Sequence, residues 1–157
     1  MRTEPKAEII IVTGLSGAGR STCLKLLEDY NFEAIDNLPL TLMSNLFSPL
    51  ISNPETEPQK KIAVGVDPRT RGFSAQSLVD TLEKLKSQKA KFYVVFLDCD
   101  NESLIRRFTE TRRKHPLAID RPVSDGIKSE RKLLEGVRQA ADFIIDSSNL
   151  TYPNSKP

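Results

Sequence analysis

The fold of this chain is decided by the stretch Ile9-Ile10-Ile11-Val12-Thr13-Gly14-Leu15-Ser16-Gly17-Ala18-Gly19-Arg20-Ser21-Thr22. A short apolar, β-branched run ends at Gly14, a glycine-rich loop follows, and an amphipathic segment begins directly after it. This order of strand, loop and helix is the context in which the pattern G-x-x-x-x-G-K-[ST] forms a phosphate-binding loop. The chain matches that pattern with one departure, because Arg20 stands where the pattern has lysine.

Such a loop holds a polyphosphate mainly through its backbone. Successive N–H groups point inward, and the helix that follows adds the positive end of its dipole. Glycines are needed because a Cβ atom would obstruct positive φ angles and close approach of the phosphates. We expect the Ser21 hydroxyl to bind Mg²⁺ and the Arg20 guanidinium to grip phosphate oxygens. The alternative is a tight turn without a ligand. The predicted ATP site comprises Gly14, Leu15, Ser16, Gly17, Ala18, Gly19, Arg20, Ser21 and Thr22.

Length and composition indicate an ordinary soluble domain. The 157 residues suffice for one domain with a real core, and a net charge of +2 does not by itself indicate a polyanion partner. Two cysteines, Cys23 and Cys99, have no metal-ligand spacing and suit small buried residues in a reducing compartment. Neither a membrane span nor a signal-peptide core is visible, so we expect a cytoplasmic protein.

Apolar runs and amphipathic segments alternate along the rest of the chain. Strands are predicted at 32–35, 60–66, 92–97 and 143–146, and helices at 20–30, 40–51 and around Leu78 to Leu85 and Leu104 to Phe108. One last helix is predicted from Ile127 to Ala141. The alternation predicts a three-layer α/β/α fold of the P-loop NTPase or kinase type, with a mainly parallel sheet. Residues 1–150 would form this domain, and 151–157 a disordered polar tail.

Acidic residues follow three of the predicted strands. Asp36 is either a helix N-cap or a ligand contact at a strand's carboxyl end. Asp67 and Arg69 could contact a base or ribose and a phosphate, or lie in a plain surface turn. Asp98 follows the most apolar strand, where a carboxylate would serve Mg²⁺ on a bound triphosphate, whereas Asp100 and its neighbour could instead cap the next helix.

A basic cluster follows the predicted helix around Leu104. It is interpreted as a solvated face, as a lid that closes arginines on phosphates, or as a nucleic-acid patch. Glu110 can pair with Arg106 or Lys114 at helical spacing, which favours the first interpretation for part of it. The possible lid or RNA-facing residues are Arg106, Arg107, Arg112, Arg113 and His115.

Together these blocks resemble the RapZ/YvcJ family of bacterial P-loop proteins from about Ile9 to Leu150. The matching segments are the glycine loop, Asp36-Asn37-Leu38-Pro39, Asp67-x-Arg69, Leu97-Asp98-x-Asp100 and Thr111-Arg112-Arg113-x-His115-Pro116-Leu117. The resemblance implies binding of ATP and GTP with weak hydrolysis and no settled phosphoryl acceptor. It also implies a link to RNA, because the enterobacterial adapter of the family presents a small regulatory RNA to a ribonuclease.

Carried onto this chain, the resemblance assigns ATP to residues 14–21 and guanine nucleotide to Asp67, Pro68, Arg69 and Thr70. Family members continue into a C-terminal domain for RNA binding and amino-sugar-phosphate sensing, which we expect to be absent here. An RNA or ribonuclease partner would then depend on that missing domain.

The sequence therefore indicates three alternative functions. The first is an ATP- or GTP-binding regulatory domain with Mg²⁺ on Ser21 and Asp98, in which Arg20 and Asp98 are the catalytic candidates for a slow hydrolysis. The second is a small-molecule or nucleotide kinase that uses the same loop and an arginine lid. The third is an RNA-binding adapter with a vestigial nucleotide site. Preferred nucleotide and oligomeric state stay open.

Overall fold

The computed structural model describes residues 7–39, 41–43, 45–46, 60–67, 74–86 and 91–149. The elements in chain order are β1 (Ala7–Gly14), α1 (Arg20–Asp29), β2 (Glu33–Ile35), β3 (Lys60–Gly65), α2 (Ala75–Lys86), β4 (Lys91–Asp98), α3 (Asn101–Thr111), α4 (Val123–Leu133), α5 (Glu135–Ala140) and β5 (Phe143–Asp146). Residues 41–43 and 45–46 are helical, and the rest of the helix predicted at 40–51 lies outside the described residues, as does the tail.

The five described strands form one parallel sheet in the order β2-β3-β1-β4-β5. Of the three inner strands, β1 and β4 are buried along most of their length, with Ile9, Ile11 and Val94 fully inaccessible to solvent. Both faces of such a strand are covered, so its sequence is a continuous apolar run rather than an alternation of apolar and polar residues. The predicted α/β class with a parallel sheet is confirmed.

The strand order places β1 between β3 and β4. After β1 the chain first forms β2 and β3 on one side of β1, and later β4 and β5 on the other side. Ligands of open α/β sheets bind at such a switch point, beyond the carboxyl ends of the strands. The strand register aligns the carboxyl ends of β1, β3 and β4, because Val12 pairs with Gly65 and Gly14 pairs with Leu97. The polar residues that follow β1, β3 and β4 therefore meet along one edge.

The last predicted helix is in fact two. Helix α4 ends at Leu133, Leu134 has φ −99° and ψ 5°, and α5 begins at Glu135. The break has a packing reason: α4 lies against α3, whereas α5 lies against α2 and β4. A straight helix could not follow both sets of neighbours while keeping Leu134 and Val137 buried.

Two further sequence expectations concern membranes and cysteines. No helix in the described ranges combines the length and apolar character that a bilayer crossing requires. Cys23 and Cys99 are both free thiols, Cys99 buried and Cys23 half-buried. Burial raises the pKa of the Cys23 thiol, which makes that side chain a poor nucleophile.

Candidate functional site

The loop between β1 and α1 is shaped by three glycines with positive φ. These angles are 147° at Gly14, 87° at Gly17 and 111° at Gly19, a region that other residues rarely adopt. At Gly14 the requirement comes from strand packing, since a Cβ atom would lie 2.3 Å from the Leu97 carbonyl oxygen. The Leu15 N–H donates to that same oxygen at 3.1 Å. The close approach of β4 is thus a reason for glycine at position 14 that is independent of phosphate binding.

The start of α1 presents backbone N–H groups that the helix itself does not use. Cys23 is the first residue of α1 whose N–H reaches an intrahelical carbonyl, that of Gly19 at 2.9 Å. The N–H groups of Arg20, Ser21 and Thr22 precede that bond, and no side chain caps the helix at Gly19. These N–H groups form the positive end of the α1 dipole, at the position where the sequence pattern predicts a phosphate.

The loop is braced from its outer side by α3 and by the residue after β5. Arg107 donates to the Gly17 carbonyl at 3.1 Å, and the Ser147 hydroxyl donates to the Ala18 carbonyl at 2.6 Å. In a trans peptide the carbonyl and the following N–H point in opposite directions, so the Gly19 N–H is aimed away from Ser147.

Arg20 does not extend over the loop in this structure. Its Nε donates to Asp36 Oδ1 at 3.0 Å, and its terminal nitrogen lies 3.3 Å from Asn37 Oδ1 and 3.6 Å from Asp67 Oδ2. The guanidinium therefore connects the ends of β2 and β3 to the first turn of α1. Asp36 and Asp67, which the sequence placed at two strand ends, are brought together on one cation.

Asp98 lies on the other side of β1 and has two arginine partners. Oδ1 accepts from Cys99 N–H at 2.8 Å and from Arg131 at 3.0 Å, and Oδ2 accepts from Arg138 at 3.2 Å. Burial by itself would raise the pKa of Asp98, but these hydrogen bonds and the Arg131 charge outweigh it and lower the pKa. A role as Mg²⁺ ligand stays a prediction; in this structure both carboxylate oxygens are used in binding α4 and α5.

Asp100 serves as the N-cap of α3. Its carboxylate accepts the Ser103 N–H at 2.7 Å, and this hydrogen bond is the largest cause of a pKa below the ordinary value. The capping interpretation that the sequence left open for Asp100 therefore describes this residue.

The predicted basic cluster separates into different environments. Arg106 donates to Ser103 Oγ at 3.4 Å, Arg112 and Arg113 are exposed, and Arg107 braces the loop. His115 is fully buried, with none of its surface exposed, so in this structure it does not face solvent as a lid residue or an RNA-facing residue would. Of the proposed guanine-nucleotide segment, Asp67 is nearly buried, and Pro68, Arg69 and Thr70 lie outside the described residues.

Sequence reasoning missed two residues that contact the loop. Glu130 on α4 accepts hydrogen bonds from Ser16, and Ser147 donates to Ala18. Both had a usable signal. Glu130 lies at helical spacing between Ile127 and Leu134 on an otherwise apolar stripe, where a carboxylate is costly unless it has partners. Ser147 follows β5 directly, at the carboxyl end of a strand, which is where the sequence predicts ligand-binding acids after the other strands.

Solved structures with a similar fold include several kinases. A shikimate kinase from Bacteroides thetaiotaomicron aligns with a TM-score of 0.60 at 15% identity, over 94% of this chain and 90% of that one. A gluconokinase from Sinorhizobium meliloti 1021 aligns with a TM-score of 0.51 at 16% identity, over 92% and 84% of the two chains. At such identities the likeness shows the fold alone, a P-loop kinase-like α/β architecture.

Relatives by sequence are much closer. A nucleotide-binding protein of Zymomonas mobilis is 46% identical over 145 residues, which cover 92% of this chain and 45% of that protein. One from Jannaschia sp. is 47% identical over 153 residues, covering 97% and 46%. The chain thus spans about half the length of the curated relatives it matches. A model of the RapZ-like N-terminal domain matches residues 7–155. This chain belongs to the family of RapZ-like N-terminal domains.

Proposed function

We propose that this domain binds the triphosphate of ATP or GTP, together with Mg²⁺, in the loop from Gly14 to Thr22, and that it acts as a regulatory domain rather than as a fast enzyme. The proposal rests on one observation: the loop is hydrogen-bonded from its outer side and leads directly into a helix whose first N–H groups have no capping side chain. Arg107 and Ser147 hold the Gly17 and Ala18 carbonyls outside, which supports N–H groups facing the ligand. The curated relatives are themselves named nucleotide-binding proteins.

Mg²⁺ would be held by the Ser21 hydroxyl and one carboxylate. Two acids are candidates. Asp98 is the one that the sequence favours, but its oxygens are bound to Arg131 and Arg138. Asp67 follows β3, next to β1, and lies 3.6 Å from a terminal nitrogen of Arg20, the residue before Ser21. Both acids have arginine partners, so the choice depends on position: we propose as Mg²⁺ ligands Ser21 and Asp67, which is paired with the residue before Ser21, and assign Asp98 to the support of the sheet edge.

Hydrolysis is expected to be slow. Phosphoryl transfer depends on positioned charge at the transferring phosphoryl group and on an oriented attacking water. The one cation inside the loop pattern, Arg20, is engaged by Asp36 and Asp67, so its charge is already neutralised at a distance from the phosphates. Binding without fast turnover suits a domain that reports nucleotide levels to the rest of a longer protein.

Thermal unfolding in the presence of nucleotide tests the proposal. A ligand at a hundred times its Kd stabilises the folded state by about 2.7 kcal/mol, which for a domain of this size raises Tm by roughly 5–10 °C. We expect this rise with Mg-ATP or Mg-GTP and a smaller one when EDTA removes the metal. In Ser21→Ala the metal dependence should disappear, whereas Ser124→Ala, an exposed serine on α4, should behave as wild type. No rise with either nucleotide would overturn the proposal.

A kinase is the second candidate, favoured by the fold of the neighbouring structures and by the two carboxylates beside Arg20. Asp36 would then orient an acceptor hydroxyl at the switch point of the sheet. This candidate predicts ADP formation that depends on a particular small alcohol or nucleotide. A screen of such acceptors that gives only the background hydrolysis rate would exclude it for the compounds tested.

RNA and a ribonuclease are proposed as partners of the longer protein rather than of this domain alone. The exposed Arg106, Arg112 and Arg113 support a contribution to RNA binding, and such binding would weaken steeply with salt. The cytoplasm is the proposed compartment, and the two free thiols of Cys23 and Cys99 agree with a reducing environment.

A further inference from the structure

Glu130 contacts the loop with both oxygens of its carboxylate. Oε1 accepts the Ser16 N–H at 2.7 Å, and Oε2 accepts the Ser16 hydroxyl at 2.7 Å. The side chain is 2% exposed, and a carboxylate this deeply buried is costly unless its partners are fixed. Glu130 therefore holds one residue of the loop in a defined position relative to α4.

His115 contacts the same carboxylate. Its Nδ1 accepts the Leu117 N–H at 3.0 Å, so the ring proton of the neutral imidazole is on Nε2. Nε2 is 3.4 Å from Glu130 Oε1 and, within the described part of the chain, has no hydrogen bond of normal geometry. The contact with Glu130 is thus an electrostatic one, from an N–H dipole to a carboxylate.

A second route joins the loop to His115 through Phe108. The ring of Phe108 packs over Gly17, where a Cβ atom would lie 3.2 Å from its Cε2, and its centroid is 5.1 Å from that of His115. Gly126 on α4 lets the imidazole approach closely, because a Cβ there would be 2.5 Å from Nδ1. His115 is therefore held from three sides by residues that also contact the loop or α4.

His115 lies in the segment 112–122, which connects α3 and α4 and carries four basic residues. Arg112, Arg113 and Lys114 precede the histidine directly, and Arg121 follows six residues later. All four side chains are exposed, whereas His115 and Ala118 are buried. Asp120 lies 3.8 Å from Arg121, so the segment is a largely cationic surface, and its buried residues His115 and Ala118 attach it to the domain.

We propose that Glu130 and His115 are positioning residues that couple occupancy of the phosphate loop to the placement of the basic segment 112–122. The inference rests on the proposed nucleotide binding and names its regulatory output. A triphosphate that fixes the loop also fixes Ser16, and Ser16 fixes Glu130 and, through it, His115. Because such coupling is reciprocal, anything that orders the basic segment should tighten nucleotide binding by the same factor.

Amide hydrogen exchange of the segment, measured with and without saturating Mg-ATP, tests the coupling. In the wild-type chain we expect nucleotide to slow exchange across 112–122 about tenfold, which corresponds to about 1.4 kcal/mol of coupling. Glu130→Gln keeps the shape but loses the charge that faces Nε2, and it should reduce the protection to less than about twofold. Glu135→Gln, an exposed acid in the first turn of α5, is the matched control and should keep the full effect.

Two further variants guard against a simple folding defect. Ser16→Ala removes one of the two hydrogen bonds to Glu130 and should give partial loss of the protection, and His115→Gln should abolish it. Full protection in folded Glu130→Gln or His115→Gln, each saturated with Mg-ATP, overturns the coupling. No binding of Mg-ATP or Mg-GTP to the wild-type chain overturns the proposed function instead, so the two failures are distinguishable.

Discussion

The guanidinium of Arg20 lies 3.0 Å from the carboxylate of Asp36, and the same group is 3.6 Å from Asp67. Arg20 occupies the lysine position of the phosphate-loop pattern, yet its charge is directed to the ends of β2 and β3. An arginine reaches further than a lysine and presents several donors, so it can serve two carboxylates from one position. The loop is thus left to bind phosphate through its backbone.

Asp36→Asn is expected to increase the affinity for Mg-ATP about 1.5- to fivefold. The substitution removes a negative charge near the triphosphate and weakens the ion pair that competes for Arg20, and a pair of this exposure is worth about 0.2–1 kcal/mol. Isothermal titration calorimetry measures the change. Asp29→Asn, at the opposite end of α1, is the control and should leave the affinity unchanged. A fall in affinity for Asp36→Asn would instead place Asp36 among the binding residues.

Asp98→Asn is expected to lower the stability of the domain by about 1–3 kcal/mol. The amide cannot neutralise Arg131 and Arg138, and hydrogen bonds to charged groups contribute about that much. Thermal unfolding should show a fall in Tm of roughly 3–10 °C. The dependence of nucleotide binding on Mg²⁺ should persist, and its loss in a folded Asp98→Asn protein would show that Asp98 is a metal ligand after all.

The same carboxylate should contribute to acid sensitivity. The pKa of Asp98 is lowered from the ordinary value of 3.8, so the unfolded chain binds its proton more readily than the folded one. The stabilisation is fully present above about pH 3.8 and is lost as the pH falls through the folded-state pKa. Tm measured against pH should therefore fall less steeply in acid for Asp98→Asn than for the wild type. Parallel curves would contradict this account.

Gly14→Ala is expected to cost at least about 3 kcal/mol or to prevent folding. The added methyl group would meet the Leu97 carbonyl oxygen at 2.3 Å and its nitrogen at 2.7 Å, both backbone atoms of a central strand that cannot move aside. Gly136→Ala in α5 is the matched control, because no heavy atom lies within 4 Å of the new Cβ. It should stabilise the helix by about 0.5–1 kcal/mol. Denaturant unfolding measures both changes, and similar values for the two variants would refute the steric argument.

The fold could be predicted because its signals are local. The apolar runs of β1 and β4 indicate strands covered on both faces, and the alternation with amphipathic helices indicates a parallel sheet. The break at Leu134 was not predictable from periodicity, since the apolar spacing continues across it. It follows from two helices packing on different neighbours, which is a tertiary property.

The candidate site was predictable only in part. The glycine pattern locates the loop, and the acids at strand ends converge as the sheet topology requires. The direction of a long side chain does not follow from spacing, so the pairing of Arg20 with Asp36 and of Asp98 with Arg131 came from the structure alone. His115 was misplaced because its neighbours are charged, whereas its burial depends on Gly126, Phe108 and Glu130.

The proposed nucleotide binding requires that main-chain N–H groups at the start of α1 hold the phosphates. The most direct measurement is an amide ¹H–¹⁵N titration of the chain with Mg-ATP, repeated with Mg-tripolyphosphate, which lacks the base and ribose. Both ligands should give their largest saturable shifts at Gly19, Arg20, Ser21 and Thr22. Saturable binding that shifts other residues and leaves these four amides unchanged would contradict the account, as would the absence of any binding.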